Sequence, residues 1–132
     1  MDADQQVLFE KDDFKKVNDK FGHIVGDKVL QRVSSILKQT IRQTDILGRW
    51  GGEEFIIAFI DSELESSKII AEKLRKNIEK DEVLHQLINH KVTASFGLTT
   101  LNAQDTIDSL LKRADEALYE AKGNGKNQIV CI

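Results

Sequence analysis

The chain has 132 residues, 40% of them hydrophobic and 31% charged, with a formal net charge of −3. That is one domain's worth of sequence with enough apolar material for a core, and its acidic balance argues against a broad nucleic-acid surface. Cys131 is the only cysteine, which excludes an internal disulfide and a cysteine metal cluster. No run approaches the ~18 apolar residues of a membrane span, and Met1-Asp2-Ala3-Asp4-Gln5-Gln6 lacks the basic and apolar regions of a signal peptide. The expectation is a soluble cytoplasmic protein, a single domain over residues 1–132. There is no proline, low-complexity tract or repeat to mark a linker.

Residues 6–10 read as a short strand. Asp12 or Asp13 is placed to cap a short helix running towards Phe21, and Gly22-His23 breaks it. A second helix is expected from about Gly26-Asp27 to Thr40, because Val29, Leu30, Val33, Ile36, Leu37 and Ile41 follow the 3.6-residue period. Strands at roughly 45–50 and 54–60 flank Gly51-Gly52, and two glycines between strand-like runs read as a tight hairpin. A third helix is expected over 64–79, with Ile69, Ile70, Leu74 and Ile78 inward. Residues 80–90 fit either a small strand pair or a helix end. Residues 91–99 read as a strand. Asp105 or Thr106 caps a last helix, with Ile107, Leu110, Leu111, Ala114, Leu118 and Ala121 inward and Gly123 or Gly125 at its end. Residues 128–132 form a final strand. The order β-α-α-β-β-α-β-α-β predicts an α/β (α+β) fold, a central mixed sheet of about five strands flanked by helices.

The chemistry concentrates at the hairpin. Glycines let a ligand approach the backbone closely, and Glu53 and Glu54 follow them. If the first strand lies beside the hairpin, Glu10 and Glu53 converge at one sheet end, a carboxylate pair suited to Mg²⁺ completed by waters and phosphates. Solvated surface acids are the alternative. Lys15, Lys16, Lys122 and Lys126 are candidates to neutralise phosphate; lysines at a helix C-terminus also favour its dipole. Gly123-Asn124-Gly125-Lys126-Asn127 lacks P-loop spacing and ends a helix rather than opening one. His23, His85 and His90 lack the partners of a zinc site. Trp50, Tyr119 and the phenylalanines read as core or sheet-face residues.

Several segments together resemble the diguanylate cyclase (GGDEF) domain family. They are Asp12-Asp13-Phe14-Lys15-Lys16-Val17-Asn18-Asp19-Lys20-Phe21-Gly22-His23-Ile24-Val25-Gly26-Asp27, Arg49-Trp50-Gly51-Gly52-Glu53-Glu54-Phe55, Val92-Thr93-Ala94-Ser95-Phe96-Gly97, Lys112-Arg113-Ala114-Asp115-Glu116-Ala117-Leu118-Tyr119-Glu120-Ala121-Lys122 and Gly125-Lys126-Asn127. The resemblance covers almost the whole chain. It implies a nucleotide-cyclase, polymerase-palm-like fold. It also implies a reaction in which two GTP condense to cyclic di-GMP with release of two pyrophosphates. Two Mg²⁺ or Mn²⁺ ions would serve each active site, and two domains would face each other as a homodimer.

Carried over by position, Asn18 and Asp27 look like the guanine readers, and an amide and a carboxylate suit guanine's donors and acceptors. Glu10, the Lys11 carbonyl, Glu53 and Glu54 look like the metal ligands, with Glu53 and Glu54 the catalytic pair and Glu54 organising the attacking hydroxyl. Gly51 and Gly52 would let the backbone touch the nucleotide. Phe14, Lys15, Lys122 and Lys126 match nucleotide and phosphate contacts. Arg42-Gln43-Thr44-Asp45 matches the family's Arg-x-x-Asp product-inhibition site; a helix-end charge pair is the alternative.

The sequence departs from the family pattern in three places. Glu10 stands where aspartate is usual at the end of the first strand, adding a methylene to a metal ligand. Lys126 stands where arginine is usual, keeping the charge without the bidentate fork. The family's opening helix is not in this sequence, so the domain reads as N-terminally truncated, with an upstream regulatory domain expected elsewhere. These departures carry the alternative function: a weak or inactive member acting as a GTP or cyclic di-GMP binding module.

Overall fold

The computed structural model describes residues 5–11, 14–49 and 54–132, with the backbone alone for 5–11, 14 and 15. The expected caps Asp12 and Asp13, the hairpin residues Gly51, Gly52 and Glu53, and Trp50 lie outside the described residues. In chain order the elements are β1 (Gln5–Lys11), α1 (Phe14–Phe21), α2 (His23–Thr40), β2 (Ile46–Arg49), β3 (Glu54–Phe59), α3 (Leu64–Glu79), α4 (Glu82–Ile88), β4 (Ala94–Thr100), α5 (Ile107–Gly123) and β5 (Ile129–Cys131). The five strands form one mixed sheet in the order β2-β3-β1-β4-β5, antiparallel except for the β4–β5 pair. This is the expected α/β arrangement.

Alternation along β3 assigns the two faces. Phe55, Ile57 and Phe59 are buried in the main core with Val29, Val33 and Leu37 of α2, Leu74 and Ile78 of α3 and Leu84 and Ile88 of α4. Ile56, pointing the other way, packs on Ala114 and Leu118 of α5. The sheet is therefore covered by α2, α3 and α4 on one side and by α5 on the other. Each fully buried large side chain, such as Phe59, Phe96 or Leu98, contributes roughly 1.5–3 kcal/mol.

The structure refines four expectations. The ambiguous segment contains a helix, α4, because Asp81 caps it: its carboxylate accepts from the Leu84 amide at 2.9 Å and is gripped by Arg32 of α2 through two bonds of 3.0 and 2.7 Å. Helix α2 starts at His23, three residues before the expected Gly26. Gly22 supplies the break at φ 88°, ψ 167°, a region essentially reserved for glycine. Ile69 is 69% exposed and Ile107 76% exposed, rather than inward. Nine residues separate Ile69 from Ile78, which at 100° per residue puts them on opposite sides of α3. Ile107 is the first residue of α5, before the helix meets the sheet. Tyr119 is likewise 81% exposed, on the outer side of α5, and not a core residue.

Helix α5 lies on β4 at Gly97. A Cβ there would fall well inside van der Waals contact of the Ala114 carbonyl oxygen and the Leu118 amide nitrogen, both backbone atoms that cannot swing aside. Thr106 caps the helix by a capping box with Ser109, and Arg113 fastens it, donating to Thr99 Oγ1, the Thr100 carbonyl and both oxygens of Asp105.

Gly97→Ala is expected to lift α5 from the sheet and cost about 3 kcal/mol or more, read as a lowered urea midpoint. The Asp81 and Asp105 carboxyls are held below their ordinary value of 3.8, first by hydrogen bonds from Arg32 and Arg113 respectively. A depressed folded-state value gives stability that is present above the unfolded value and lost as pH falls through the folded one. Urea unfolding is therefore expected to be flat with pH above about 5 and to weaken progressively below about 4, and Asp105→Asn is expected to reduce that slope.

Candidate functional site

One end of the sheet gathers most of the chemistry-bearing positions. Glu54, the first residue of β3, is the register partner of Glu10 on β1, and Glu10 is in turn the partner of Ser95 on β4. The Ser95 hydroxyl accepts the Asn127 amide at 3.1 Å, which extends the row to the loop before β5. Glu54, Glu10, Ser95 and the loop carrying Lys126 and Asn127 thus lie side by side across four neighbouring segments. The register pairs Glu10 with Glu54; the expected convergence of Glu10 with Glu53 lies outside the described residues. Glu54 is half-buried and, by alternation, shares the α5 face with Ile56. Lys11, at the end of β1, is the partner of Ala94. The register thus puts two carboxylate-bearing positions opposite each other, and a divalent cation is the kind of group that takes such donors. The donors are hard oxygens of the kind Mg²⁺ takes, so these positions fit such an ion. Among the described residues no group of three acidic, histidine or cysteine side chains forms a metal cluster by itself.

The cationic side comes from the end of α5. Lys122 lies in its last turn. The helix then stops in a Schellman arrangement, with the Lys126 amide donating to the Ala121 carbonyl at 3.0 Å and the Gly125 amide to the Lys122 carbonyl at 3.3 Å. Gly125, Lys126 and Asn127 all have positive φ, at 117°, 64° and 51°. Glycine takes this freely and asparagine tolerates it, but lysine does so at a cost of about 1–2 kcal/mol. The loop is held from outside. Asn127 accepts from Arg75 at 2.9 Å and donates to Glu79 at 2.5 Å, both on α3, while the Gln128 amide bonds the Asn124 and Lys126 carbonyls at 3.1 Å each. Arg75 is itself bound to Glu72. Sequence reading gave Asn127 a place in a motif but no partners, because Arg75 lies 52 residues away.

The expected guanine readers flank the Gly22 break. Asn18, half-buried on α1, gives its carbonyl to the Gly22 amide at 2.9 Å, and Asp27 is exposed in the first turns of α2. Asp27 opens onto a groove of about 850 Å³ between α2 and the β2–β3 edge, whose lining includes Leu30, Gln31, Leu47, Arg49 and Phe55. Phe14 and Lys15 are the first two residues of α1.

Arg42 and Asp45 sit beyond the other end of α2, about 20 Å from Asp27 at 1.5 Å per residue. The structure brings the two together. Asp45 is fully buried at its side chain and accepts from the Arg42 amide at 2.9 Å and from the guanidinium, most closely at 2.7 Å. Arg42 also donates to the Ile60 carbonyl at 2.9 Å, tying the approach to β2 to the exit of β3. The Arg42 side chain remains 44% exposed, with Nε and Nη2 engaged by Asp45 and the Ile60 carbonyl.

Comparison with known proteins shows the family. The family model for "Diguanylate cyclase, GGDEF domain" matches residues 5–128, and the chain belongs to that family. It is 36% identical over 124 residues to Diguanylate cyclase A of Treponema denticola, covering 93% of this chain and 33% of that protein. It is 40% identical over 127 residues to the response regulator PleD of Caulobacter vibrioides, covering 94% of this chain and 28% of that protein. The chain thus spans about a third or less of these relatives. Among solved structures, the active GGEEF domain of a diguanylate cyclase from Vibrio cholerae superposes with a TM-score of 0.89 at 32% identity, over 98% of this chain and 82% of that one. The GGDEF domain of DgcB from Caulobacter crescentus, in complex with c-di-GMP, gives 0.89 at 26% identity, over 98% and 78%. Among the described residues no helix is long and apolar enough to cross a membrane.

Removing the Arg42 side chain leaves a buried carboxylate with one backbone donor. Arg42→Ala is expected to cost about 1–3 kcal/mol in urea unfolding, and Arg42→Lys less, since lysine keeps the charge but not the fork.

Proposed function

We propose that the chain is a catalytic diguanylate cyclase domain that condenses two GTP into cyclic di-GMP and two pyrophosphates. Each chain holds one GTP, so two copies must face each other. The 3′-hydroxyl of each nucleotide attacks the α-phosphorus of the other. A new P–O bond forms, the hydroxyl proton is lost, and the α–β anhydride bond breaks to release pyrophosphate. The observation that carries this reading is the row at the sheet end, with Glu54 opposite Glu10 and Lys126 two strands away.

In this reading Asn18 and Asp27 bind the guanine edge, and Gly51 and Gly52 admit the nucleotide to the backbone. Phe14 and Lys15 lie against it. Lys122 and Lys126 hold the phosphates. Glu54 orients the attacking hydroxyl. Glu10, the Lys11 carbonyl, Glu53 and Glu54 hold two Mg²⁺ or Mn²⁺ ions, which supply Lewis-acid stabilisation of charge on the phosphate when bound. The name of the Vibrio cholerae relative, an active GGEEF domain, supports a glutamate at the third motif position as compatible with turnover. Cyclic di-GMP binds back at Arg42 and Asp45. The separation of that pair from Asp27 along α2 supports two distinct sites.

Incubation of the purified chain with GTP and Mg²⁺, followed by nucleotide chromatography, is expected to yield cyclic di-GMP. Glu54→Gln is expected to lower the rate by about 10²–10⁴-fold with the fold retained. Cyclic di-GMP binding without any conversion of GTP would instead support the binding-module reading that Glu10 raises. Arg42→Ala is expected to weaken cyclic di-GMP at least tenfold in calorimetry while leaving GTP affinity within twofold; equal loss of both would contradict two sites.

A further inference from the structure

The loop after α5 does not follow from local sequence alone. Lys126 and Asn127 are consecutive non-glycine residues with positive φ, a conformation that persists only where surroundings impose it. Those surroundings converge on Asn127. Its amide nitrogen donates to the Ser95 hydroxyl at 3.1 Å, its side-chain oxygen accepts from Arg75 at 2.9 Å, and its side-chain nitrogen donates to Glu79 at 2.5 Å. Ser95 is fully buried and lies in the register row of Glu10 and Glu54. Arg75 and Glu79 stand one turn apart on α3 and are themselves an ion pair at 3.6 Å. Asn127 is thus tied both to the sheet row that carries the carboxylates and to the helix behind it, next to the Lys126 backbone, whose amide donates to the Ala121 carbonyl and whose carbonyl accepts from the Gln128 side chain.

We infer that Asn127, held by Arg75, Glu79 and Ser95, is a positioning residue for the triphosphate: it sets the left-handed backbone from which Lys126 reaches the phosphates. The inference rests on the reading of Lys126 as a phosphate contact. Its physical content is preorganisation. A lysine on a four-carbon stem binds phosphate as a point charge without geometric preference, so the backbone that carries it supplies the direction. If the clamp is lost, Lys126 and Asn127 relax towards negative φ and the ammonium leaves the row. The base pocket at Asn18 and Asp27, built on other elements, is unaffected.

The test compares two probes on the whole chain with Mg²⁺: a non-reactive GTP analogue by calorimetry, and guanosine, which lacks phosphates, by NMR titration. Asn127→Ala is expected to weaken the analogue about tenfold and leave guanosine within twofold. Glu79→Ala, on the helix surface and outside the loop, is expected to act in the same direction, which keeps the test valid if Asn127→Ala folds poorly. Asn127→Gly restores freedom of φ without the clamp and is expected not to rescue the loss. The double variant Lys126→Ala/Asn127→Ala is expected to be no worse than Lys126→Ala alone, since both act through one group. If Lys126→Ala leaves the analogue's affinity unchanged, the phosphate reading itself is wrong. If Lys126→Ala weakens the analogue but Asn127→Ala and Glu79→Ala do not, or guanosine weakens in parallel, the positioning role is overturned.

Discussion

Everything else in this fold depends on the register of β1 between β3 and β4. The strand is antiparallel to both neighbours, and its pairing runs without interruption from Gln5 opposite Phe59 and Thr100 to Glu10 opposite Glu54 and Ser95. A strand has a side-chain period of two, so a slip of one residue would exchange its faces. The neighbours do not permit that exchange. Phe55, Ile57 and Phe59 of β3 and Phe96 and Leu98 of β4 fill the core under α2, α3 and α4, while Gly97 must face α5 because no Cβ fits beneath it. With register fixed this way, Glu10 and Glu54 take directly opposite positions on neighbouring strands. The packing of the core thus decides which two acidic positions meet at this end of the sheet.

The helices distribute the remaining chemistry by length. Helix α2 is 18 residues long, with Asp27 in its opening turns and the Arg42–Asp45 lock just beyond its end. One helix therefore holds Asp27 and the Arg42–Asp45 lock about 20 Å apart. Gly22 sets where that helix begins, because its backbone conformation is closed to other residues. Helix α5 does the corresponding work on the opposite face. Its contact with Gly97 fixes its height above the sheet, Arg113 anchors its start, and its Schellman end delivers Lys126 to the carboxylate row. The Arg42–Asp45 pair has a double character. It is the charge pair of one sequence expectation, with Asp45 fully buried and the Arg42 side chain partly exposed.

Much of this was legible in the sequence, for identifiable reasons. The regular spacing of Val29, Val33, Ile36 and Leu37 defines α2, and the alternation in β3 and the β-branched enrichment before Thr100 define strands. The family motifs pointed to the family that the comparison shows, and Glu10 and Glu54, both named from them, fall opposite each other in the sheet. Less legible was α4, since Val83, Leu84, Leu87 and Ile88 suit a helix end and a strand pair about equally; Asp81 decided the matter by capping the helix while bound to Arg32, 49 residues away. Ile69 looked inward because isoleucine is apolar, yet its angle around α3 points it to solvent. The Asn127 clamp was invisible for the same reason as the Arg32–Asp81 pair. Its partners are distant in sequence, and nothing local distinguishes Arg75 and Glu79 from an ordinary i,i+4 surface pair.

The central claim is that the sheet end where Glu10 meets Glu54 holds divalent cations against the phosphates of a bound nucleotide. The most direct measurement is a crystal structure of the chain with Mn²⁺ and a non-reactive GTP analogue, with the metal located by its anomalous signal. The account predicts Mn²⁺ within about 2.5 Å of carboxylate oxygens from Glu10 and the hairpin glutamates, with the triphosphate extending towards Lys122 and Lys126. A nucleotide bound with its phosphates away from this row, or Mn²⁺ density at sites that none of these carboxylates touches, would contradict it.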